Sequence, residues 1–498
     1  MFVAIRVDGN TEIGVGHVLR CLTLAEKLVD FGIQSIFYTR NISPHLYEKI
    51  SKKFKTVRLT GIENSFNPID EYSKWLGCSQ NYDAHEFIDM IANLDIKFII
   101  VDHYGINKEW ETIVSVQHNS LIVLDDLANR RHKCDMLVDQ SIGLKGNEYE
   151  ELVSENCVTL LGPRYSLLNK NFELQTQAFV EKKYSLLINF GGADKDNYTL
   201  HVANLLEDSS LPSTLTIKIV VGKDYPCFSR LIDFVVSSRF KIKLIRNPNN
   251  MAREIAECKF SIGAGGVSLL ERSSLGVPSI LYTIANNQLH ICEEYARLKL
   301  GPLIKKKDQH NAQVLSRSVY NFLDDIKLKQ TINDNILAVD TFGTNRVVSS
   351  IVDVLDLFVV RAATLDDCKF IYECRYLDND AALYINSKVP DYSQHETWYK
   401  VALKKKYQTH TIYTIGKQQI GYIRLDHHKT ETELSICIHS KFQRRNIGSI
   451  MLKTFCEYHP ELELVATVHK KNTASLKTFK SCGFYINNDL GAFLMLKR

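Results

Sequence analysis

The sequence repeatedly places a glycine turn between a short apolar run and an amphipathic segment, and this unit restricts how the first two thirds can fold. Residues 2–7 are apolar and β-branched, which predicts a buried strand. Gly14 and Gly16 follow, and apolar residues at helical spacing over 18–29 predict a helix. Such a turn aims backbone N–H groups and the positive helix end at an anion. His17 falls in the first helical turn, where a neutral imidazole base is favoured. The alternative is a packing turn with a surface histidine.

Two further apolar runs of strand length, 98–101 and 121–124, end in acidic residues and are separated by helical patterns. This alternation is typical of βαβ units and a parallel sheet. In such sheets ligands bind beyond the carboxyl ends of the strands, although a residue there can also cap the following helix. The residues at these ends are Asp8, Asp102, His103, Asp125 and Asp126.

A second set of strands and helices begins after residue 163. The strand predicted at 186–190 leads into the turn 191–194, and the strand predicted at 260–262 leads into the turn 263–268. Two glycine turns between strand and helix suit a diphosphate. Glu271 lies about one turn into the next helix, where a carboxylate can accept hydrogen bonds from both ribose hydroxyls. The alternative is that both turns need glycine only for close packing.

Length, charge and cysteine content restrict the class of protein. The 498 residues suggest about three domains. A net charge of +4 is too small to indicate a nucleic acid or an anionic membrane as partner. The 12 cysteines include no C-x-x-C pair, which is typical of reduced thiols in a cytoplasm. Arg6 and Asp8 interrupt any early apolar core, and no run of ~18 apolar residues follows. We expect a cytoplasmic protein with no membrane partner.

An ordered set of motifs resembles the UDP-sugar hydrolase of pseudaminic acid biosynthesis over residues 1 to about 340. The motifs lie at 14–21, 102–104, 125–126, 161–165, 189–194 and 264–266 with Glu271. The resemblance implies the two-domain GT-B fold and removal of UDP from UDP-2,4-diacetamido-2,4,6-trideoxy-β-L-altrose. It also implies that His17 is the catalytic residue. Val267 departs from the family, which often has Ser or Thr there; a backbone N–H contact survives this change, whereas a hydroxyl contact does not.

The last third, about residues 358–498, resembles the GNAT acetyltransferases. Strands predicted at 411–415, 419–423 and 433–438 form a meander, and the loop 443–449 opens an amphipathic helix. In the family a Gln/Arg-x-x-Gly-x-Gly/Ala loop holds the acetyl-CoA pyrophosphate through backbone N–H groups. Asn446 replaces the first glycine, and asparagine tolerates the left-handed conformation. Phe479 stands where many GNAT enzymes have a tyrosine that protonates the CoA thiolate.

We therefore predict an α/β protein with a GT-B-like pair of Rossmann-type domains, residues 1–163 and 164–355, followed by an α+β GNAT domain, residues 356–498. The 164–355 domain is predicted to bind UDP. The predicted enzyme is bifunctional: it hydrolyses the UDP-sugar and uses acetyl-CoA to N-acetylate the UDP-4-amino-sugar precursor. Alternatives are a GT-B glycosyltransferase, a hydrolase with a non-catalytic CoA- or sugar-binding GNAT module, and the same chemistry on another nonulosonic-acid precursor.

His17 is the one residue predicted to be catalytic, and no metal is predicted. The residues predicted to bind the UDP-sugar are Asp8, Gly14, Gly16, Asp102, His103, Gly191, Gly192, Gly265, Gly266, Val267, Ser268, Glu271 and Gln288. The residues predicted to bind acetyl-CoA are Gln443, Arg444, Arg445, Asn446, Ile447, Gly448, Ser449 and Asn472.

Overall fold

A computed structural model describes residues 1–116, 120–177, 181–192, 194–377, 388–405, 407–428 and 431–498. The chain divides into two compact units. The first consists of Met1–Lys27 and Gln34–Val347, and the second of Leu28–Ile33 and Val348–Arg498. No helix in these described ranges is long and apolar enough to cross a membrane.

The first unit contains two sheets, of which the first is parallel throughout. Its strands are β1 (Phe2–Val7), β2 (Gln34–Thr39), β3 (Lys55–Arg58), β4 (Ile96–Asp102), β5 (Leu121–Leu124), β6 (Met136–Asp139) and β7 (Val158–Leu161). The helices between and after them are α1 (Gly16–Val29), α2 (Pro44–Ser51), α3 (Glu71–Leu76), α4 (Gln80–Ile91), α5 (Lys108–Ser115) and α6 (Lys170–Gln177). The strand order is β3-β2-β1-β4-β5-β6-β7. Strands β1, β4 and β5 are almost wholly apolar because helices cover both faces of a parallel sheet.

The second sheet of the first unit is also parallel. Its strands are β8 (Tyr184–Asn189), β9 (Thr216–Val221), β10 (Lys241–Arg246), β11 (Cys258–Ala264), β12 (Ser279–Tyr282) and β13 (Leu303–Ile304), in the order β10-β9-β8-β11-β12-β13. Its helices are α7 (Tyr198–Glu207), α8 (Phe228–Ser237), α9 (Met251–Ala256), α10 (Val267–Ser274), α11 (Leu289–Arg297), α12 (Ala312–Leu323) and α13 (Asp325–Ala338). The next helix, α14 (Gly343–Val354), begins in the first unit and ends in the second. In both sheets the order reverses beside the first strand, and ligands bind at such a switch point in open α/β sheets.

The second unit contains a mixed sheet. Its strands are β14 (Phe358–Ala362), β15 (Gln408–Ile415), β16 (Gln418–His427), β17 (Thr432–Ile438), β18 (Leu464–His469), β19 (Tyr485–Leu490) and β20 (Phe493–Lys497), in the order β14-β15-β16-β17-β18-β20-β19. The helices are α15 (Cys368–Tyr372), α16 (Tyr392–Ala402), α17 (Ile447–Tyr458) and α18 (Thr473–Ser481). Only β17 and β18 pair in parallel, through two residue pairs at their starts. Beyond Glu433 and Val465 the two strands are no longer paired, and the rest of β17 leads towards α17.

The predicted fold class is confirmed: two parallel α/β sheets precede an α+β region built on a mixed sheet. The strands predicted at 2–7, 121–124 and 279–282 have those bounds in the structure. The strand predicted at 98–101 is part of the longer β4.

Candidate active site

The predicted catalytic histidine is paired with a buried carboxylate. Strands β1 and β4 are parallel neighbours, and Val7 lies opposite Asp102 at their carboxyl ends. The turn after β1 leads into α1, whose second residue is His17. His17 Nδ1 lies 2.6 Å from Asp102 Oδ1. A carboxylate can only accept a hydrogen bond, so Nδ1 carries the hydrogen and Nε2 keeps its lone pair.

Arg20 fixes this pair from the next turn of α1. Its Nε donates to Asp102 Oδ2 (2.6 Å) and its Nη2 to Asp102 Oδ1 (2.7 Å), while Nη1 donates to Asp126 Oδ2 (2.8 Å). Burial works to raise the pKa of Asp102, but the charge of Arg20 and the hydrogen bonds from Arg20 and His17 hold that pKa well below its usual range. Asp102 therefore stays an anion that holds His17 in one tautomer. This arrangement, with His17 only 8% exposed, suits a general base.

Tyr104 closes the other side of the imidazole. Its ring meets the His17 ring edge-on, with centroids 4.6 Å apart, and its hydroxyl donates to Asp126 Oδ1. Burial, reinforced by the charge of Asp126, raises the pKa of the Tyr104 hydroxyl well above its usual range. The hydroxyl is therefore a neutral donor at physiological pH.

A cavity of about 460 Å³ lies beside this cluster and shares Asp126 with it. Residues that follow strands of both sheets in the first unit line it. They are Tyr72, Asp126, Leu127, Ala128, Asn129, Asp139, Ser141, Leu144, Glu148, Asn286, Asn287, His290 and Ile291. Its volume falls in the usual range of small-molecule sites. Within the described ranges, no group of three or more His, Cys, Asp or Glu side chains is arranged to hold a metal ion.

The predicted glycine turns of the two sheets meet. A Cβ atom added to Gly192 would lie 2.9 Å from Val15 Cγ2, and one added to Gly16 would lie 3.3 Å from Val267 Cγ2. Gly191 has a φ of +90°, a conformation that side chains with a Cβ rarely adopt. The turns after β1, β8 and β11 therefore face one another. Ala193, part of the predicted second turn, lies outside the described residues.

A buried cation lies under the turn after β11. The guanidinium of Arg272, on α10, donates to Ala264 O (2.7 Å), Ser279 Oγ (2.8 Å) and Ser268 Oγ (3.2 Å). Burial lowers its pKa to about 10, so it remains charged at neutral pH. No carboxylate in the described part of the chain forms an ion pair with it. Its hydrogen bonds within the described residues therefore all go to neutral oxygens, although the charge of the neighbouring Glu271 works to raise its pKa.

Glu271 and Gln288 lie close to the same turn. Glu271 is half-buried, and burial raises its pKa to about 7 against the charges of Arg272 and Lys49. Its carboxylate makes no hydrogen bond within the described ranges. Gln288 Oε1 is buried and has no hydrogen-bond partner among the described residues, and Gln288 Nε2 lies 3.5 Å from the position of a Cβ on Gly266. Both side chains have unused hydrogen-bonding capacity.

Three residues predicted to contact substrate are instead buried beneath the site. Asp8 has no exposed surface; it pairs with Arg6 Nη1 (2.9 Å) and accepts a hydrogen bond from the Arg40 amide (2.7 Å). His103 accepts at Nδ1 from a backbone amide, and its Nε2 lies 3.4 Å from Asp8 Oδ2. Asp102 acts through His17. All three side chains are buried, and Asp8 Oδ2 and His103 Nε2 make no hydrogen bond to any described residue.

In the second unit, the predicted CoA loop runs from the 3₁₀ turn after β17 into α17. Asn446 has φ 61° and ψ 2°, the left-handed conformation expected at this position, and Arg444 has a φ of 59°. A Cβ on Gly448 would find no atom nearer than 3.5 Å. Gln443 Nε2 donates to Ile438 O (3.0 Å). The remaining residues of the loop are Arg445 and Ser449, both half-buried, and Ile447, which is buried.

Two residues of the second unit that the sequence analysis singled out have structural roles in the fold. Asn472 accepts a hydrogen bond from Ser475 N (3.0 Å) and so caps α18. Phe479, also on α18, is 3% exposed and packs edge-on against Phe484, with centroids 4.9 Å apart. The position that often carries a tyrosine is thus filled by a core side chain.

Comparison with known proteins identifies both parts of the chain. Residues 358–485 match the family described as the acetyltransferase (GNAT) domain. UDP-2,4-diacetamido-2,4,6-trideoxy-β-L-altropyranose hydrolase of Campylobacter jejuni is 28% identical over 259 residues, 52% of this chain and 82% of that protein. The chain joins a region homologous to this hydrolase to a GNAT domain. We call residues 1 to about 340 the hydrolase-like region.

Two other proteins resemble the hydrolase-like region. An uncharacterised protein of Methanocaldococcus jannaschii is 28% identical over 319 residues, and the chain spans 60% of its length. A UDP-glucosyltransferase of Polygonum tinctorium has a TM-score of 0.50 and 12% identity, covering 71% of this chain and 98% of that one. At this identity the likeness concerns the fold alone, and it agrees with the GT-B-like pair of sheets.

The sequence pattern missed several residues of this site. Arg20 lies one helical turn after His17, on the same face of α1, and this spacing is the signal that points to it. Arg272 directly follows the predicted Glu271. Tyr104 was part of a predicted motif but had no assigned role.

Proposed function

We propose that the chain is a bifunctional enzyme. The hydrolase-like region removes UDP from UDP-2,4-diacetamido-2,4,6-trideoxy-β-L-altrose, and the GNAT domain transfers an acetyl group from acetyl-CoA to the 4-amino group of its precursor. The proposed domains are residues 1–163, 164–355 and 356–498. The name of the Campylobacter jejuni relative and the GNAT family match support the two activities. Acetylation then comes first, and the product of the GNAT domain is the substrate of the hydrolase-like region.

The contact between His17 Nδ1 and Asp102 carries the proposal for hydrolysis. It leaves Nε2 to take a proton from water while the water oxygen bonds to the sugar and UDP leaves with the electron pair of the broken bond. The backbone N–H groups of the turns at Gly191–Gly192 and Gly265–Gly266, with the buried charge of Arg272, hold the departing diphosphate. Glu271 accepts hydrogen bonds from the ribose hydroxyls, and Gln288 Oε1 gains its missing partner from the bound nucleotide.

Replacement of His17 by Ala tests the proposed hydrolysis. We expect kcat for UDP release to fall by about 10²–10⁴-fold, because general-base catalysis typically contributes that much. His85→Ala is the matched control, since His85 is an exposed histidine on α4. Retention of more than about a tenth of the wild-type rate in His17→Ala would remove His17 from the mechanism.

Two of the three alternatives can be distinguished by the products that the enzyme forms. A time course by NMR without any acceptor should show free sugar and UDP in equal amounts; UDP release that waits for an added acceptor would identify a glycosyltransferase. Incubation with acetyl-CoA and the UDP-4-amino sugar, followed by mass spectrometry, should show one added acetyl group. Binding of acetyl-CoA without transfer would identify a non-catalytic GNAT module.

A further inference from the structure

Two cysteine thiols of the first unit lie in contact at the start of neighbouring strands. Cys134 precedes β6 and Cys157 precedes β7, and their Sγ atoms are 3.6 Å apart. The residues that follow them are joined by a ladder hydrogen bond from Val158 N to Asp135 O (2.9 Å). Neighbouring strands lie about 4.8 Å apart, within the Cα–Cα range of disulfides, about 4.4–6.8 Å. The sheet therefore already holds both backbones at a separation that a disulfide can span.

The two thiols differ in how easily a reagent can reach them. Cys134 is buried, with 7% of its surface exposed. Cys157 is half-buried and lies at the start of β7, the last strand of the sheet, between the exposed residues 154–156 and the exposed Val158. A reagent from the solvent therefore meets the Cys157 sulfur first.

The contact between the thiols also decides which of them loses its proton. A hydrogen bond from the Cys134 thiol to the Cys157 sulfur lowers the pKa of Cys157. The same hydrogen bond, together with burial, raises the pKa of Cys134. Cys157 therefore becomes the thiolate, which is the form that attacks a disulfide, and Cys134 is the thiol held beside it.

Two carboxylates restrain the reactivity of these thiols. The charges of Asp135 and Glu111 work to raise the pKa of both cysteines. Hydrogen bonds fix both carboxylates in place: Asp135 accepts from the Leu121 amide (2.7 Å), and Glu111 accepts from His132 Nδ1 (2.7 Å) and the Lys133 amide (2.6 Å). We therefore expect slow attack at neutral pH, so that the bond forms only during sustained exposure to an oxidant.

We propose that Cys134 and Cys157 are a site of reversible thiol oxidation, at which a low-molecular-weight disulfide converts them into a disulfide bond. The Cys157 thiolate attacks one sulfur of the small disulfide, and the other sulfur leaves as a thiolate with the electron pair of the broken bond. Cys134 then gives its proton to the solvent and attacks Cys157 Sγ, which releases the second small thiolate. In total two protein thiols are oxidised, and one small disulfide is reduced to two thiols. This modification is independent of the proposed hydrolysis.

The bond closes a loop that carries one wall of the cavity. Cys134 and Cys157 are 23 positions apart, and β6 and the cavity-lining residues Asp139, Ser141 and Glu148 lie between them. A disulfide restricts the unfolded chain more than the folded one. It also ties β7, an edge strand, to the start of β6. We therefore expect the bond to stabilise this edge of the first sheet.

The first test follows the thiols of the full chain. The protein is incubated with oxidised glutathione, unfolded, alkylated and analysed by mass spectrometry of its peptides. We expect a peptide pair joined through Cys134 and Cys157, and reversal of this bond by dithiothreitol. Cys134→Ala should stop at a mixed disulfide on Cys157, whereas Cys157→Ala should leave Cys134 as a free thiol. Cys227→Ala, which removes another half-buried cysteine of the first unit, should not change the reaction.

The second test measures the effect of the bond on stability. The oxidised chain should unfold at a temperature at least about 3 °C higher than the reduced chain, because the stabilisation that a disulfide typically gives shifts the midpoint of a domain by several degrees. The Cys134→Ala and Cys157→Ala variants, treated in the same way, should show no such rise. Failure of both thiols to react, persistent mixed disulfides on both cysteines, or bonds formed mainly by other cysteines would each overturn the proposed site. A joined pair with an unchanged unfolding temperature would overturn its stabilising role.

Discussion

Arg272 shows how a single residue can prepare a site for an anion. Its guanidinium is fully buried and donates to two carbonyl and two hydroxyl oxygens, none of which carries a formal charge. An unpaired buried charge is unfavourable by several kcal/mol. A diphosphate bound at the turn above it would supply the missing negative charge. In the proposed UDP site, we therefore expect Arg272 to contribute more to binding of the diphosphate than to binding of the uridine.

Replacing Arg272 by Met should expose this preference. We expect the Kd for UDP to rise at least tenfold and the Kd for uridine less than threefold, both measured by calorimetry. Arg253→Met, at an exposed position of α9, should change neither value. Equal weakening of UDP and uridine would mean that Arg272 only maintains the fold of the turn.

At the scale of elements, the start of α17 depends on one left-handed residue. Asn446 precedes the helix with a φ of 61°, and its side chain makes no capping hydrogen bond. The backbone conformation, and not the amide group, is therefore what the loop requires. Asparagine and glycine adopt it readily, whereas β-branched residues do not.

Two substitutions of Asn446 should therefore have opposite outcomes. Asn446→Gly should keep the affinity for acetyl-CoA within about threefold, and Asn446→Val should weaken it at least tenfold, as measured by calorimetry on the full chain. Thermal unfolding of both variants reports whether the second unit still folds. If the valine variant folds and binds normally, the loop does not hold the pyrophosphate.

Elements with a clear apolar pattern were predictable, and elements without one were not. Strand β1 is a nearly continuous buried run, whereas every residue of β19 is exposed and half of its six residues are polar. The same limit applies to the site. His17 and its glycine turn occupy adjacent positions and can be recognised together. Asp102 is 82 positions from Arg20, and only the pairing of β1 with β4 brings them into contact.

At the scale of the whole molecule, the two proposed activities use different sets of residues in different units. The residues proposed for hydrolysis lie on α1, at the end of β4, on α10 and in the turns after β8 and β11 of the first unit. The proposed acetyl-CoA loop precedes α17 of the second unit. Both units have their own buried cores. We therefore expect that a substitution can abolish either activity and leave the other intact.

A reciprocal pair of variants tests this independence. His17→Ala should stop UDP release and leave the acetylation rate within about twofold of wild type. Gly448→Asp should stop acetylation, since a carboxylate would meet the phosphates of acetyl-CoA, and should leave UDP release within the same limit. Ser481→Asp, exposed on α18, adds the same charge away from the loop and should affect neither rate. Loss of both activities in either variant would show that the units are coupled.

In the proposed hydrolysis, the groups paired around His17 also determine what happens to the proton that the imidazole takes from water. Two carboxylates, Asp102 and Asp126, share one guanidinium, so the cluster is negative at rest and neutral once the imidazole is protonated. Before the next turnover that proton has to return to the solvent from a ring that is only 8% exposed. Turnover is then tied to proton transfer across a nearly closed surface, and the concentration and molecular size of the buffer base become kinetic variables.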